Sequence, residues 1–440
     1  MKQYSVYKAS GLSFIDKVPE HWEVKRAKYF FREIDERSEA GNEELLSVSH
    51  ITGVTPRSEK NITMFMAESY EGFKLCHPDD LVINIMWAWM GALGLSRHRG
   101  IVSSSYGVYR LRDKSCFDSV YLDYLARIPE YVAEYHRRSQ GIRSSRLRMY
   151  SDDFFQIPIF CPPIDEQRRI VTYINHKLAQ IDQFICYKRR LIELLNEQKT
   201  ALINRTLTRG LNPDVPMKES GIHWIGEIPE HWGISVLGYV CRLTSGGTPD
   251  RNRQEYWNGE IPWVKTGEIN YNEIRETEEY ITEVGLKNSS AKLASPGTVL
   301  MGMYGQGVTR GRVAVLGIEA AFNQACLAMY PCNLLKTKYL YYYLTSAYEY
   351  IRDTGNETSQ MNLSAGLISK VRVLLPNLEE QSQILEFLDK EFQKIKLAIA
   401  QAEKEIELIQ EYRTTLISDT VTGKIDVRDY AEVRDTAYAS

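Results

Sequence analysis

The sequence lacks the cysteine patterns that build zinc sites or disulfide frameworks. Its seven cysteines are scattered, with no Cys-x-x-Cys pair and no histidines at zinc-ligand spacing. They are Cys76, Cys116, Cys161, Cys186, Cys241, Cys326 and Cys332. We therefore expect reduced thiols and no metal site, as is typical of a cytoplasmic protein.

The sequence also lacks a hydrophobic run long enough to cross a membrane. The longest run, Leu81 to Leu95, is shorter than the about 20 residues that a span needs. The amino-terminal residues lack the continuous apolar core of a signal peptide. We interpret 81–95 as a buried strand and turn, with Trp87 and Trp89 as core residues instead of stacking platforms for bases. We therefore predict a cytoplasmic protein without membrane contact.

Signatures of catalysis are missing as well. There is no Walker A loop. The Asn-Pro-Pro-aromatic motif of an adenine methyltransferase is absent, because Cys161–Ile164 has the two prolines without the asparagine. Asp79 and Asp80 lack a following Glu-x-Lys, and we interpret them as a capped turn. We predict no catalytic residue and no cofactor in this chain.

Positive charge is scarce overall but locally concentrated. The net charge of −3 argues against a protein that coats DNA indiscriminately. Residues 135–150 nevertheless contain five arginines and no acid, whereas the sequence after Pro376 is rich in Glu and Asp. This asymmetry is typical of separate DNA-facing and protein-facing surfaces, and a solvated loop explains the arginines equally well when they are taken alone.

What the sequence does contain is an internal repeat. Residues 8–22, KASGLSFIDKVPEHW, match residues 218–232, KESGIHWIGEIPEHW, at an offset of 210. PPIDEQRRI from Pro162 matches PNLEEQSQI from Pro376 at an offset of 214. The sequences between these motifs are nearly equal in length and very different in identity. The chain is therefore a tandem of two copies, each with an anchor motif, a divergent globular segment and a Pro-led segment.

Each Pro-led segment predicts a long helix with coiled-coil heptads, because apolar residues recur at a and d positions without internal proline or glycine. The prolines and the acids after them suit a helix start. From about Ile164 to Thr208 such a helix would be roughly 67 Å long. The two helices can pair with each other, most simply antiparallel, and Lys188 and Lys199 at core positions would snorkel or set the register.

The divergent segments, 23–161 and 233–375, alternate β-branched or aromatic runs with turn residues. Predicted strands include 299–301, 312–316 and 370–375, and predicted helices are 121–136 and 339–350. The sequence therefore predicts an α+β class, with two globular domains that are each followed by a long helix.

The order and duplication of these motifs resemble the specificity subunit of type I restriction-modification enzymes. The resemblance rests on the PEHW anchors, the SGGTP loop (Ser245–Pro249) before IPWV, the Gly-rich YGQGVTRGRVAV (Tyr304–Val315) and the two helix starts, and it covers nearly the whole chain. In the first copy, SVSHITG (Ser47–Gly53) and MGALGLSRHRG (Met90–Gly100) stand near the places of the two loops.

The resemblance implies that each globular segment is a target recognition domain for double-stranded DNA and that each long helix is a spacer. It also implies assembly with two modification (methyltransferase) subunits and with restriction (translocase/endonuclease) subunits. The implied boundaries are an anchor at 1–22, recognition domain 1 at 23–162, spacer helix 1 at 163–212, a second anchor at 213–232, recognition domain 2 at 233–375, spacer helix 2 at 376–424 and a tail at 425–440.

Candidate DNA contacts are polar side chains on the divergent loops. GNETSQMNLS (355–364) aligns with GIRSSRLRMY (141–150) at an offset of 214, which places Gln360 opposite Arg146. Arginine pairs with guanine and glutamine with adenine, so this exchange suits readers of different half-sites, although a drifted polar loop would look alike. The predicted DNA-binding residues are Arg97, His98, Arg99, Arg143, Ser144, Arg146, Arg148, Ser245, Thr248, Gln306, Thr309, Arg310, Arg312, Thr358, Gln360 and Asn362.

The anchor histidines and tryptophans are shared by both copies and cannot encode different sequences, so we interpret them as packing residues. Together these features predict a noncatalytic subunit that binds a bipartite, asymmetric DNA target. One competing hypothesis is a duplicated coiled-coil adaptor that binds proteins, which would show no sequence preference on DNA. Another is an unusual nuclease or methylase, which would be active alone.

Overall fold

The computed structural model describes residues 2–60, 69–142, 147–304, 309–353 and 363–430. The chain divides into two compact units. Unit 1 consists of Met1–Lys188 with Glu403–Ser440, and unit 2 consists of Arg189–Ala402. Each unit therefore contains one anchor motif, one globular segment and parts of both long helices.

Unit 1 is built around a four-stranded antiparallel sheet with the strand order Phe31–Glu33, Gly107–Leu111, Leu81–Ile83, Leu93–Leu95. Two-stranded pairs surround it: Tyr7–Leu12 with Ile15–Pro19, Glu23–Arg26 with Pro158–Cys161, Leu46–Ser49 with Gly53–Pro56, and Lys74–Cys76 with Gly100–Val102. The short helices are Ala27–Phe30, Ser119–Arg127, Pro129–Arg138 and Ser151–Phe155.

Unit 2 has a five-stranded sheet with the order Cys241–Ser245, Cys326–Pro331, Val299–Gly302, Val313–Leu316, Glu273–Ile274. A four-stranded sheet has the order Glu279–Ile281, Trp257–Val264, Ala320–Phe322, Leu293–Ala294. Two strand pairs, Met217–Glu219 with Glu227–Pro229 and Gly233–Val236 with Arg372–Leu375, complete the sheets. The short helices are Leu237–Val240, Glu283–Lys287, Thr337–Ser346, Tyr348–Asp353 and Ala365–Ser369.

This mixture of helix and sheet confirms the predicted α+β class. The apolar run 81–95 forms the expected strand and turn, and Leu81–Ile83 is buried on both faces. The two predicted short helices are each broken in two. In the first, Ile128 is extended and Pro129 starts a new helix, because the proline ring fixes φ and restricts the residue before it.

The PEHW anchor packs against the first turn of a long helix in each unit. In unit 1, Trp22 is fully buried and donates a 2.9 Å hydrogen bond from Nε1 to Glu166. The other carboxylate oxygen of Glu166 lies 2.8 Å from Nε2 of His21. Unit 2 repeats both contacts at 3.0 Å with the equivalent residues His231, Trp232 and Glu380. The two motifs of the sequence repeat therefore bind each other, in agreement with a packing role for the shared side chains.

A buried glutamine beside that glutamate ties each long helix to its globular segment. The Gln167 amide donates to the carbonyls of Cys116 and Pro162 at 2.8 Å and accepts from Asp118 N at 2.9 Å. Gln381 repeats this arrangement in unit 2 with Leu334, Pro376 and Lys336. In each unit, the glutamine side-chain amide forms hydrogen bonds with several backbone groups that are shielded from water. The Glu-Gln pair is therefore a determinant of the fold.

The long helices span Ile164–Arg209 and Leu378–Val421, within one residue of the predicted limits for the first. Side chains of the two helices contact each other within each unit, and in unit 1 the contacts run in opposite chain directions. In unit 1, Arg413 donates to Asp182 at 2.8 Å, and Lys188 pairs with Glu405. In unit 2, the Lys199 ammonium lies over the Phe392 ring, 5.1 Å from its centroid. The polar side chains at heptad core positions thus pair with charge or an aromatic face.

The seven cysteines are free thiols. Among the described residues, no helix combines the length and the apolar character that crossing a membrane requires.

Candidate nucleic-acid interface

Loops of unit 2 converge at one end of its five-stranded sheet. The strand that ends at Ser245 and the strand that ends at Gly302 both finish beside Cys326. Backbone hydrogen bonds hold the start of the loop after each strand at this place. Gly246 N donates to Cys326 O at 3.2 Å, and Met303 N donates to Ala325 O at 2.8 Å. The start of the SGGTP loop and the residue that precedes the Gly-rich motif, far apart in sequence, are therefore neighbours.

Described residues on both sides of 354–362 contact the Gly-rich loop. Directly after it, Leu363 N donates to Met303 O at 3.1 Å. Shortly before it, the carbonyl of Arg352 accepts a 3.3 Å hydrogen bond from Nη2 of Arg310. We call the loops 245–249 and 303–312, together with these attachment points of 354–362, the loop end of unit 2. Four of the contacts predicted in unit 2 lie outside the described residues: Gln306, Thr358, Gln360 and Asn362.

The two glycines of SGGTP are required by packing. A Cβ on Gly246 would lie 2.1 Å from the carbonyl oxygen of Phe322, and one on Gly247 would lie 2.2 Å from Ala291 N. The buried Trp263 of the IPWV motif donates from Nε1 to the Gly247 carbonyl at 3.0 Å. These glycines therefore fix the loop, which leaves Ser245 exposed and Thr248 half-buried.

Replacing Gly247 with alanine is expected to destabilise unit 2 by about 1–3 kcal/mol, because the added methyl group meets backbone that must move. The measurement is denaturant unfolding of the full chain. Ser245→Ala is the matched control: its side chain is exposed, so stability should stay within about 0.5 kcal/mol of the unmodified chain. Equal stability of both variants would contradict the packing role of Gly247.

The described residues of the Gly-rich loop differ in accessibility. Thr309 and Arg312 are half-buried, and Arg312 donates from Nη1 to Oδ1 of Asn270 at 2.7 Å. Arg310 is only 6% exposed and holds the Arg352 carbonyl. Arg310 therefore stabilises the loop from its buried side, and Arg312 is the better placed of the two cations to contact DNA. Sequence reasoning missed Asn270, because it follows a different strand.

Strand register locates the corresponding edge of unit 1. The pair 81–83 with 93–95 has the same register as the pair 299–301 with 313–315. The loop 84–92 is therefore the counterpart of 302–312. Met149 N donates to Ile85 O at 3.0 Å, which repeats the bond from Leu363 to Met303 in unit 2. We call 84–92 and 140–149 the loop end of unit 1.

The predicted contacts Arg97, His98 and Arg99 do not lie at this loop end. They form the turn after Leu93–Leu95, at the opposite end of that strand from 84–92. Arg97 and Arg99 are exposed and His98 is half-buried. Of the stretch 90–100, only residues 90–92 therefore belong to this loop end, because glycine spacing alone does not fix strand register.

A backbone bridge joins Gln140 and Arg148. Gln140 and Arg148 exchange antiparallel hydrogen bonds of 2.8 and 2.9 Å, and Arg148 is exposed. The other predicted contacts here, Arg143, Ser144 and Arg146, lie outside the described residues.

Two arginines of the basic cluster are occupied elsewhere. Arg137 and Arg138 both hydrogen-bond to the carboxylate of Glu134, which is fully buried. Burial opposes ionisation of Glu134, but these hydrogen bonds outweigh it and hold its pKa below the ordinary value. Glu134 immediately precedes the acid-free residues 135–150. Counting the arginines of 135–150 without Glu134 therefore overstated the positive charge that is free to bind a partner.

Trp87 is a further candidate in the loop end of unit 1. Its side chain is 49% exposed, so its interpretation as a core residue was wrong. Trp89 is half-buried and donates from Nε1 to the Met86 carbonyl at 3.0 Å. An exposed indole offers a face on which a base or sugar can stack. No sequence signal separates these two tryptophans, because both lie in one apolar run.

The described residues of the loop ends offer hydroxyl and guanidinium donors, which suit binding to phosphates and base edges. Within the described ranges, no group of three or more His, Cys, Asp and Glu is placed to hold a metal. Asp79 and Asp80 form the turn that we expected. Asp80 accepts from His77 N at 2.8 Å and binds Arg110 through both carboxylate oxygens.

Comparisons with known proteins agree with this picture. Residues 229–408 match the family described as type I restriction modification DNA specificity domain. The chain is 27% identical over 310 residues to the Escherichia coli type I restriction enzyme EcoR124I/EcoR124II specificity subunit, covering 67% of this chain and 69% of that protein. It is 23% identical over 433 residues to the MjaVIII specificity subunit of Methanocaldococcus jannaschii, covering 94% and 95%.

Solved structures share the fold. The HsdS subunit from Thermoanaerobacter tengcongensis superposes with a TM-score of 0.56 at 16% identity, covering 93% of this chain and 98% of that one. A chain from a study of complex assembly and conformational transition of the type I R-M system gives a TM-score of 0.63 at 16% identity, covering 93% and 100%. The protein-binding adaptor hypothesis is not favoured. The family model, the curated relatives and the shared fold together support a specificity subunit of type I restriction-modification enzymes.

Proposed function

We propose that this chain is the DNA-recognition subunit of a type I restriction-modification complex and that each unit reads one half of a bipartite, asymmetric target. The observation that carries the proposal is the pair of loop ends. Both are held by the same backbone bond, Met149 to Ile85 and Leu363 to Met303, yet they display different side chains. A common framework with different side chains is what two readers of different half-sites require.

The proposed DNA contacts are polar or basic residues of the loop segments that the sequence predicts. In unit 1 they are Arg143, Ser144, Arg146 and Arg148. In unit 2 they are Ser245, Thr248, Gln306, Thr309, Arg312, Thr358, Gln360 and Asn362. Arg310 supports its loop, and Arg97, His98 and Arg99 are left out because they lie at the opposite end of their strand.

The chain itself performs no catalysis in this proposal. Methylation is supplied by two modification subunits and cleavage by restriction subunits, and its domains follow the boundaries that the sequence implies. The identities with specificity subunits over most of the chain support this assignment.

The two long helices pair as an antiparallel coiled coil in this proposal, and their length sets the unread gap between the half-sites. The opposite direction of the contacts Asp182–Arg413 and Lys188–Glu405 supports the pairing in unit 1. In unit 2, Lys199 over Phe392 supports it. Buried or half-buried apolar side chains at the heptad positions agree.

The test is selection from randomised double-stranded DNA with the full chain and its methyltransferase, followed by the methylome of cells that carry both. We expect one sequence with two specified parts and an unspecified gap. Binding without any sequence preference would support an adaptor instead. Methylation or cleavage by the purified chain alone would overturn the noncatalytic assignment.

A further inference from the structure

We propose that Arg312 reads a guanine in the half-site of unit 2 and that Asn270 and Tyr271 are positioning residues that orient its guanidinium. This inference rests on the proposed function and adds to it a base identity and two residues outside the predicted loops.

The guanidinium of Arg312 is held on two sides. Nη1 donates to Oδ1 of Asn270 at 2.7 Å, and the Tyr271 ring centroid lies 5.8 Å from the guanidinium carbon. Nε is shielded from solvent and has no hydrogen-bond partner among the described residues. A buried N–H without an acceptor is uncommon and asks for an explanation. Here it belongs to a guanidinium whose terminal nitrogen Nη1 is held by Asn270.

The residues that hold Arg312 are themselves fixed. Tyr271 has a φ of 55°, a left-handed conformation that is unfavourable for a tyrosine. It is held there because its N–H donates to Val313 O at 2.9 Å and its carbonyl accepts from the Tyr341 hydroxyl at 2.8 Å. Asn270 N donates to the Asn272 side chain at 3.0 Å. Backbone strain of this kind concentrates at functional sites.

The equivalent position in unit 1 carries no charge. Gly302 N donates to Arg312 O at 3.0 Å, and in unit 1 Asn84 N donates to Ala92 O at the same distance. Ala92 is 2% exposed. One backbone position therefore presents arginine in unit 2 and a buried methyl group in unit 1, which is the difference expected where the two halves read different bases.

Orientation distinguishes a base contact from a phosphate contact. A phosphate can be neutralised by a flexible cation, whereas a guanine needs two parallel N–H donors aimed at O6 and N7. The Arg312 guanidinium is fixed by an amide oxygen and an aromatic face, so it cannot reorient as a cation that only neutralises a phosphate could. The geometry therefore points to guanine.

The experiment selects targets from randomised DNA with the full chain and its methyltransferase, for the unmodified chain, Asn270→Ala and Arg312→Lys. For both variants, we expect the preference for one G·C pair in one half-site to fall about tenfold. The base preferences in the other half-site should stay unchanged. Arg312→Lys keeps the charge, so a phosphate contact would survive it. Arg275→Ala, which removes an exposed cation beyond Glu273–Ile274, is the control and should behave as the unmodified chain.

The failures are distinguishable. If the unmodified chain selects no sequence, the proposed function is wrong. If it selects a target but both variants keep its preference at every base pair, only the guanine assignment is wrong. A uniform loss of affinity in Arg312→Ala, with a salt slope smaller by about one and no change of preference, would make Arg312 a phosphate contact. Hydrogen exchange of unit 2 checks that each variant is folded.

Discussion

Trp22→Ala is expected to destabilise unit 1 by about 3–5 kcal/mol, the cost of removing a large side chain from a packed core. Trp22 is fully buried, and its indole binds Glu166 in the first turn of the first long helix. It also packs against the end of the second long helix, because a Cβ on Gly423 would lie 2.9 Å from its ring. The measurement is hydrogen exchange of the full chain, resolved by segment.

Two further variants separate packing from hydrogen bonding. Trp22→Phe keeps much of the volume and removes the indole donor, so a smaller loss of about 1–3 kcal/mol is expected. Trp232→Ala makes the same change in unit 2, where the indole binds Glu380, and should lower protection there. Unchanged exchange in unit 1 of Trp22→Ala would show that the anchor does not hold the helix start.

Lengthening both long helices is expected to abolish recognition of the original target. Seven residues inserted after Lys188 and seven after Ala402 keep the heptad phase and leave the contacts inside each unit intact. They add about 10.5 Å of helix, or about three base pairs at roughly 3.4 Å each. Affinity for the original target should fall towards the nonspecific level, by about 10³-fold or more.

Selection from randomised DNA should then return the same two half-sites with a gap longer by about three base pairs. Seven residues inserted after Pro213, in the exposed turn beyond the first long helix, serve as the control and should leave the gap unchanged. If the helix-lengthened chain still prefers the original gap, the helices do not set the distance.

Features with a period or a repeat were predictable from the sequence. The 210 and 214 offsets identified the two copies, and heptad spacing predicted the long helices, because coiled-coil packing imposes a regular period on the sequence. The break at Pro129 also follows from local stereochemistry, and the predicted helix 121–136 overlooked it. The family resemblance rested on the same ordered motifs.

Only the tertiary structure decided which loops share a site. The bonds from Leu363 to Met303 and from Arg312 to Asn270 join loop segments that are distant in sequence, and no local pattern encodes such pairs. Strand register moved Arg97 away from the loop end, and Glu134 accounted for two arginines that the sequence left free.

The sequence by itself therefore determined that the chain is two copies of one unit with long helices, because repetition and periodicity are written along the chain. The tertiary structure decided which side chains stand together at each loop end, because register and long-range hydrogen bonds depend on how the strands associate.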